Sequence, residues 1–183
     1  MEQKSTFWKS AMIDGLYLGI LVTLYSVILY VSGQALNKSM GYISFVMYIV
    51  GVVLAQINYR NRDLNGAISY GQAVGFGVAV MLFSGIIASL YTLIIYKIDP
   101  SLIQQVKLMQ EEELLKKGMS EEQIETAMSF ASKMMTPGWI SFMVLLGSVF
   151  MGPIISLVTS IFVKRQPNMD AFDEAMEDIK TDE

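Results

Sequence analysis

Charged residues divide the chain into four long apolar stretches. The stretches without Asp, Glu, Lys or Arg are residues 15–37, 39–59, 64–96 and 134–163. A hydrocarbon core about 30 Å thick is crossed by roughly 20 apolar residues, because an α-helix rises about 1.5 Å per residue. The pattern therefore predicts an all-α polytopic membrane protein with four transmembrane helices in a bundle. We place the spans at about 11–31, 42–59, 72–96 and 138–163.

The polar connection 97–137, between the third and fourth spans, carries helix signals. Asp99 precedes a proline, and an aspartate there can accept the backbone N–H groups that a first helical turn leaves free. Ser120 and Gln123 have the spacing of a capping box. We therefore predict a helical hairpin over about 100–135. It is either a structural cap on the bundle or membrane surface, or a docking surface for a partner.

Lys and Arg residues near the span ends predict the orientation. The richer side has Lys4, Lys9, Arg60, Arg62, Lys164 and Arg165. The other side has Lys38, Lys97, Lys107 and Lys133 near the ends. Cytoplasmic loops carry the excess of Lys and Arg, so we expect both termini in the cytoplasm and an extracytoplasmic hairpin. The acidic tail 166–183 would then be cytoplasmic, either without fixed structure or with a short helix docked on a partner.

Composition narrows the chemistry. The 183 residues are 53% hydrophobic and 16% charged, whereas soluble domains are about 25% charged. The chain has no Cys and no His, which removes thiolate nucleophiles, imidazole proton shuttles and the usual zinc ligands. No basic patch predicts nucleic-acid binding. We expect no cofactor, no metal and no enzymatic activity, and we expect the lipid bilayer and other membrane proteins or a second copy as partners.

Small residues recur at helical spacing within the spans. Such residues let helix backbones approach closely in lipid, where no hydrophobic effect drives helices together. We assign helix packing, within the bundle or between copies, to Gly15, Gly19, Gly71, Gly75, Gly77 and Gly85.

Four polar residues are candidates for contact with a partner or lipid, in addition to Asp99. Arg60, Arg62 and Asp63 follow the second span; they form either a positive anchor with an internal ion pair or a site for a phosphate, a headgroup or an acidic segment. Asp14 lies near the start of the first span. It is either at the membrane edge, where Lys9 could pair with it, or inside the bundle at a working site.

The segment NYRNRDLNGAISYGQAVGFG, with YKIDP about 20 residues later, resembles a family of bacterial membrane proteins, domain of unknown function 4199. The matching residues are Arg60, Arg62, Asn65, Gly66, Ile68, Ser69, Tyr70, Gly71, Ala73, Ile98, Asp99 and Pro100. Gln72 stands where an acidic residue is usual in that family. The resemblance implies a four-span protein of the bacterial inner membrane and implies no activity.

Two functions follow from these observations. The leading one is a structural or accessory subunit that binds other membrane proteins, because the spans hold few ionisable groups and transporters usually keep several. The alternative is a small transporter or channel that uses Asp14 with the polar groups Gln56, Asn58 and Gln72 of spans 2 and 3.

Overall fold

The computed structural model describes residues 2–165, with side chains from residue 6. Its helices are α1 (Glu2–Val31), α2 (Lys38–Asp63), α3 (Tyr70–Ile98), α4 (Ser101–Lys116), α5 (Glu121–Met134) and α6 (Pro137–Val163). Four of them, α1, α2, α3 and α6, are long and apolar enough to cross a membrane. The predicted all-α architecture, with four spans and an inserted helical hairpin, is thus confirmed. The predicted acidic tail at 166–183 lies outside the described residues.

The spans are longer than the apolar pattern predicted, because polar residues extend the helices beyond it. α1 has 30 residues and α2 has 26, which correspond to about 45 and 39 Å. Both lengths exceed the hydrocarbon core of about 30 Å. The added turns carry Trp8, Lys9, Arg60 and Arg62, which are residue types suited to the headgroup region. The candidate residues Arg60 and Arg62 therefore lie beyond the apolar stretch of α2.

Reciprocal side-chain caps fix the starts of α3 and α5. The Gln72 backbone N–H donates to Ser69 Oγ at 3.3 Å, and the Ser69 N–H donates to Gln72 Oε1 at 3.1 Å. Ser120 and Gln123 make the same pair of bonds at 3.4 and 3.0 Å, which confirms the predicted capping box. These bonds satisfy N–H groups that have no partner within the helix. Gln72 is thus used to begin a helix.

α3 is the central span and packs along both α1 and α6. The α3–α6 contact uses small residues in antiparallel order, with Gly77 against Ser156 and Gly85 against Ser148. A Cβ on Gly77 would lie 2.5 Å from Ser156 Oγ. The offset between the two contacts is eight residues on each helix, so the close approach continues over more than two turns.

α1 approaches α3 through its own glycines. A Cβ on Gly15 would lie 2.7 Å from the carbonyl oxygen of Val80, and one on Gly19 would lie 3.1 Å from Ser84 Cα. At the same end of the molecule, the ring of Tyr59 stacks on Phe76 with centroids 4.0 Å apart. These contacts close the interior between α1, α2 and α3.

α4 and α5 form the hairpin, which is attached to the spans through α4. Lys38 Nζ lies 2.7 Å from Glu113 Oε1, and the Tyr30 hydroxyl donates to Asp99 Oδ2 at 3.1 Å. α5 packs against α4, and no extensive contact joins α5 to a span in the described part of the chain. The α4 side of the hairpin therefore meets the ends of α1 and α2, and α5 packs on α4.

Candidate functional site

Asp14 faces α2 at one end of the spans. Its Oδ1 accepts a hydrogen bond from Asn58 Nδ2 at 3.4 Å. Its Oδ2 is buried and has no hydrogen-bond partner among the described residues. The bond sets Asp14 level with Asn58, about one helical turn from Arg62 on α2. The predicted pairing with Lys9 does not appear among the ion pairs of the described residues, because five residues of helix turn Lys9 away from Asp14.

Asp63 joins α2 to α1 beside this carboxylate. It accepts a hydrogen bond from Ser10 Oγ at 2.8 Å, and Arg62 Nη2 lies 3.1 Å from its Oδ2. The predicted pairing of Asp63 with an arginine thus takes place with Arg62. The guanidinium of Arg62 lies at the same end of the spans as the carboxylates of Asp14 and Asp63. Arg62 forms its ion pair with Asp63. The negative charge of Asp14 is left without an ion-pair partner among the described residues.

Arg60 points to a different neighbour, the end of α6. Its Nη1 donates to the carbonyl oxygen of Val163 at 3.0 Å, which satisfies one of the carbonyls that a helix end leaves free. Next to it, Ile68 and Arg165 exchange two backbone hydrogen bonds of 2.8 and 3.0 Å. We call the contacts of Arg60, Ile68, Val163 and Arg165 the terminal clasp. Arg60 therefore has a structural use in holding the end of the last span.

An apolar groove runs between α1 and α2 from the Asp14 end. Its volume is about 730 Å³. It is lined by Asp14, Tyr17, Leu18, Leu21, Ile43, Val46, Met47, Val50, Gly51, Leu54, Ala55, Ile57, Asn58 and Asn61. Its outer walls include Leu54 and Val46, which are 59% and 56% exposed, so the groove opens toward the surrounding lipid. Its polar lining at one end consists of Asp14, Asn58 and Asn61. Tyr17, which follows Asp14 by three residues on α1, also lines the groove.

Gln56 and Gln72 do not line this groove. Gln56 is fully buried, and its Nε2 donates to the carbonyl oxygen of Ala73 at 2.9 Å and to Ser160 Oγ at 3.0 Å. Gln72 caps α3. The structure thus brings Asp14 together with Asn58 and separates both from the two glutamines.

Asp99 ties the hairpin to α1. Its Oδ1 accepts from Ser101 Oγ at 2.6 Å and from the Ser101 backbone N–H at 3.0 Å, so it caps the start of α4. Its other oxygen accepts from the Tyr30 hydroxyl. The Ser101 hydroxyl, followed by Tyr30, holds the pKa of Asp99 below its ordinary value.

The hairpin has a groove of its own between α4 and α5, with a volume of about 610 Å³. We call it the hairpin groove; its lining is Glu111, Leu115, Glu121, Ile124, Glu125, Met128, Ser129 and Ser132. The ionisable side chains in this lining are all glutamates. The hairpin groove therefore combines an apolar floor with an acidic edge.

The glycines assigned to helix packing fall into two groups. Gly15, Gly19, Gly77 and Gly85 lie at close contacts between helices. Gly71 and Gly75 face open space instead, because a Cβ on either would meet no atom within 4 Å. Gly77 lies two positions after Gly75, and that offset turns a helix by about 200°. The two glycines therefore lie on opposite faces of α3.

The sequence pattern indicated Asp14 and Asn58 but missed the rest of the lining of both grooves. Tyr17 carries no motif, Asn61 is marked only by its place in the family segment, and Glu121 and Glu125 look like ordinary solvated charges. The α1–α2 groove depends on how far apart two helices lie, which spacing along one helix does not encode. The alternation of Asn58 and Asn61 with apolar residues on one face of α2 is the signal that could have indicated it.

Each groove can hold a ligand or a segment of a partner, and neither groove brings reacting groups together. Within residues 2–165, no cluster of three carboxylates could hold a metal ion. A carboxylate oxygen beside amide groups can accept a hydrogen bond from an N–H donor, including that of an ammonium group.

Comparison with known proteins gives one match. The sequence model of a family described as "Protein of unknown function (DUF4199)" matches residues 14–165. No curated protein and no solved structure matches the chain.

Proposed function

We propose, on the premise that this membrane protein belongs to the DUF4199 family of proteins of unknown function, that it is an accessory subunit rather than an enzyme. In this proposal it holds a second membrane protein through the hairpin groove. The membrane is the bacterial inner membrane, both termini are cytoplasmic and the hairpin is extracytoplasmic. The Lys and Arg distribution along the sequence supports that orientation.

The observation that carries the proposal is that α5 lies clear of the spans. Its apolar stripe packs on α4 and leaves the hairpin groove open. A hairpin that served only as a lid would bury its groove on the helix ends. Phe130 on the same helix is 68% exposed, so α5 has further apolar surface available to a partner.

Charge complementarity indicates the chemistry of the partner. Glu111, Glu121 and Glu125 line the groove without a basic side chain in the lining. Such a groove favours an amphipathic segment that carries Lys or Arg beside apolar residues, in the mode of a helix in a groove. The partner is therefore a membrane protein with a basic amphipathic segment close to the extracytoplasmic surface.

The polar groups of spans 2 and 3 give the transporter alternative less support. Gln56 and Gln72 are used in packing and capping, and Asp14 with Asn58 faces the other side of α2. Within the described residues, these groups line no common path.

Site-specific photocrosslinking in native membranes tests the proposal. A photoreactive residue replacing Met128, on the groove floor, should give one discrete adduct that contains a protein with a basic amphipathic segment. The same residue replacing Thr126, two positions away on α5, should give little of it, because a two-residue offset turns the helix by about 200°.

Charge reversal provides the matched control. Glu121→Lys should remove most of the Met128 adduct, whereas Glu122→Lys should retain it. Both residues lie in the first turn of α5 and carry the same favourable interaction with the helix dipole, but only Glu121 lines the groove. Equal adducts in both variants, or an adduct with a second copy of the chain, would contradict the proposal.

A further inference from the structure

The α1–α2 groove, which is separate from the hairpin groove, has a carboxyl group with few hydrogen bonds at its end. Asp14 Oδ2 is buried without a hydrogen-bond partner among the described residues, and the one bond to Oδ1 is long, at 3.4 Å. An ionised carboxylate can accept several hydrogen bonds. Burying one with a single weak bond is costly, and Asp14 lines the groove, so a hydrogen-bond donor lodged in the groove would relieve that cost.

The local charges indicate which donor would fit. Arg62 is paired with Asp63, so the negative charge of Asp14 is not balanced by an ion pair. Asn58 and Asn61 line the same end of the groove; the Asn58 amide oxygen is a further acceptor, and the Asn61 oxygen, which accepts from Arg60 Nε at 3.0 Å, has a second lone pair. A primary ammonium group carries three N–H donors and would satisfy these acceptors together.

The shape of the groove indicates what is attached to that ammonium. From Ile43 to Asn61 the groove follows α2 for about 27 Å, close to the thickness of a hydrocarbon core. Spread over that length, 730 Å³ gives a mean cross-section of about 27 Å². A helix with side chains is about 10–12 Å wide, which corresponds to a cross-section of about 80–110 Å². One alkyl chain suits this width, and a transmembrane helix is too wide for it.

We propose that the α1–α2 groove binds an aminophospholipid of the surrounding bilayer, with its ammonium group on Asp14 and one acyl chain along the groove. The open walls at Val46 and Leu54 let the lipid enter sideways from the membrane. The site is therefore complementary to a headgroup with a hydrogen-bonding amine.

Native mass spectrometry of the purified full-length chain in mild detergent tests the proposal. The probes are phosphatidylethanolamine, phosphatidylcholine and phosphatidylglycerol with the same acyl chains. Phosphatidylcholine has a quaternary ammonium without N–H donors, and phosphatidylglycerol has no amine. We expect phosphatidylethanolamine to bind about tenfold more tightly than either, as one hydrogen bond to a charged group allows.

Two variants locate the binding. Asp14→Asn should reduce the affinity for phosphatidylethanolamine to that for phosphatidylcholine, while Asp99→Asn, which removes a carboxylate at the opposite ends of the spans, should retain the preference. Leu54→Trp, at an exposed lining position, should weaken all three lipids by filling the groove. Circular dichroism melting curves show whether each variant is folded.

Three results would overturn the inference. They are equal binding of the three lipids by the native chain, an unchanged preference in the folded Asp14→Asn variant, and a protein segment crosslinked to a photoreactive residue at position 54. None of these bears on the hairpin groove, whose test uses other residues.

Discussion

Gln56 and Asn58 have different surroundings although they are only two positions apart on α2. Gln56 is fully buried and bonds to α3 and α6 through Ala73 and Ser160. Asn58 faces α1 and bonds to Asp14. Residues two positions apart on a helix point about 200° away from each other. Gln56 therefore makes an internal polar contact, whereas Asn58 lies at the α1–α2 groove. Their proximity in sequence is no evidence of a shared path across the membrane.

The same offset supplies a matched pair of substitutions on α3. Gly77→Val should destabilise the protein by about 1–3 kcal/mol, the usual cost of overpacking, because its Cβ would lie 2.5 Å from Ser156 Oγ and 2.7 Å from Gln56 Nε2. Gly75→Val should be close to neutral, because no atom lies within 4 Å of its Cβ. Detergent unfolding monitored by circular dichroism gives both free energies. Equal losses would refute the α3–α6 packing described above.

At the scale of elements, local sequence predicts more than packing does. The four spans and the Ser120–Gln123 capping box were predictable because hydropathy and caps act over a few residues. The glycine pattern was ambiguous, since Gly71 and Gly75 have the same four-residue spacing as packed pairs yet face outward. Which face of α3 meets α6 depends on the rest of the assembly, and so does the distance between α1 and α2 that leaves a groove.

The hairpin attachment should depend on pH. The hydrogen bond from Lys38 holds the pKa of Glu113 below its ordinary value, and that from Ser101 does the same for Asp99. A carboxyl with a lowered pKa in the folded chain stabilises it above the ordinary value, near 4, and loses that effect as the pH falls through the folded pKa. Acidification from pH 6 to about 3 should therefore loosen α4.

A spin label on Gln110→Cys, in a chain that has no native cysteine, can report this change. Its mobility should rise reversibly below about pH 4. Glu113→Gln should show part of that mobility already at neutral pH. Glu112→Gln is the control, because Glu112 pairs with Lys116 within α4 and not with a span. If both variants followed the native pH profile, the Lys38–Glu113 contact would have no role in attachment.

At the scale of the whole molecule, the two ends of the spans differ in their contacts. One end has the terminal clasp, the Asp63 contacts and the polar end of the α1–α2 groove. The other end has the hairpin and its links to Tyr30 and Lys38. The proposed lipid site and the proposed protein site therefore lie toward opposite surfaces of the membrane, so a partner on the hairpin leaves the headgroup site accessible.

Single cysteines can determine the orientation, since the chain supplies no background thiol. With a membrane-impermeant maleimide, Lys117→Cys at the hairpin tip should be labelled in intact cells from which the outer membrane has been removed. Lys164→Cys, beside the terminal clasp, should be labelled only after lysis. Both side chains are exposed, so access rather than burial decides the result. The reverse pattern would place the hairpin in the cytoplasm.

The glycine contacts of α1 have a consequence for how the protein is made. Gly15 and Gly19 contact Val80 and Ser84, which the ribosome adds about 65 residues later. At about 5–20 residues per second, the first span waits some 3–13 s in the bilayer before its main contact exists. The terminal clasp waits longer still, because Arg165 follows the last span. A ribosome that stops before α6 would leave Gly77 and Gly85 facing lipid, and we expect quality-control proteases to recognise that incomplete chain.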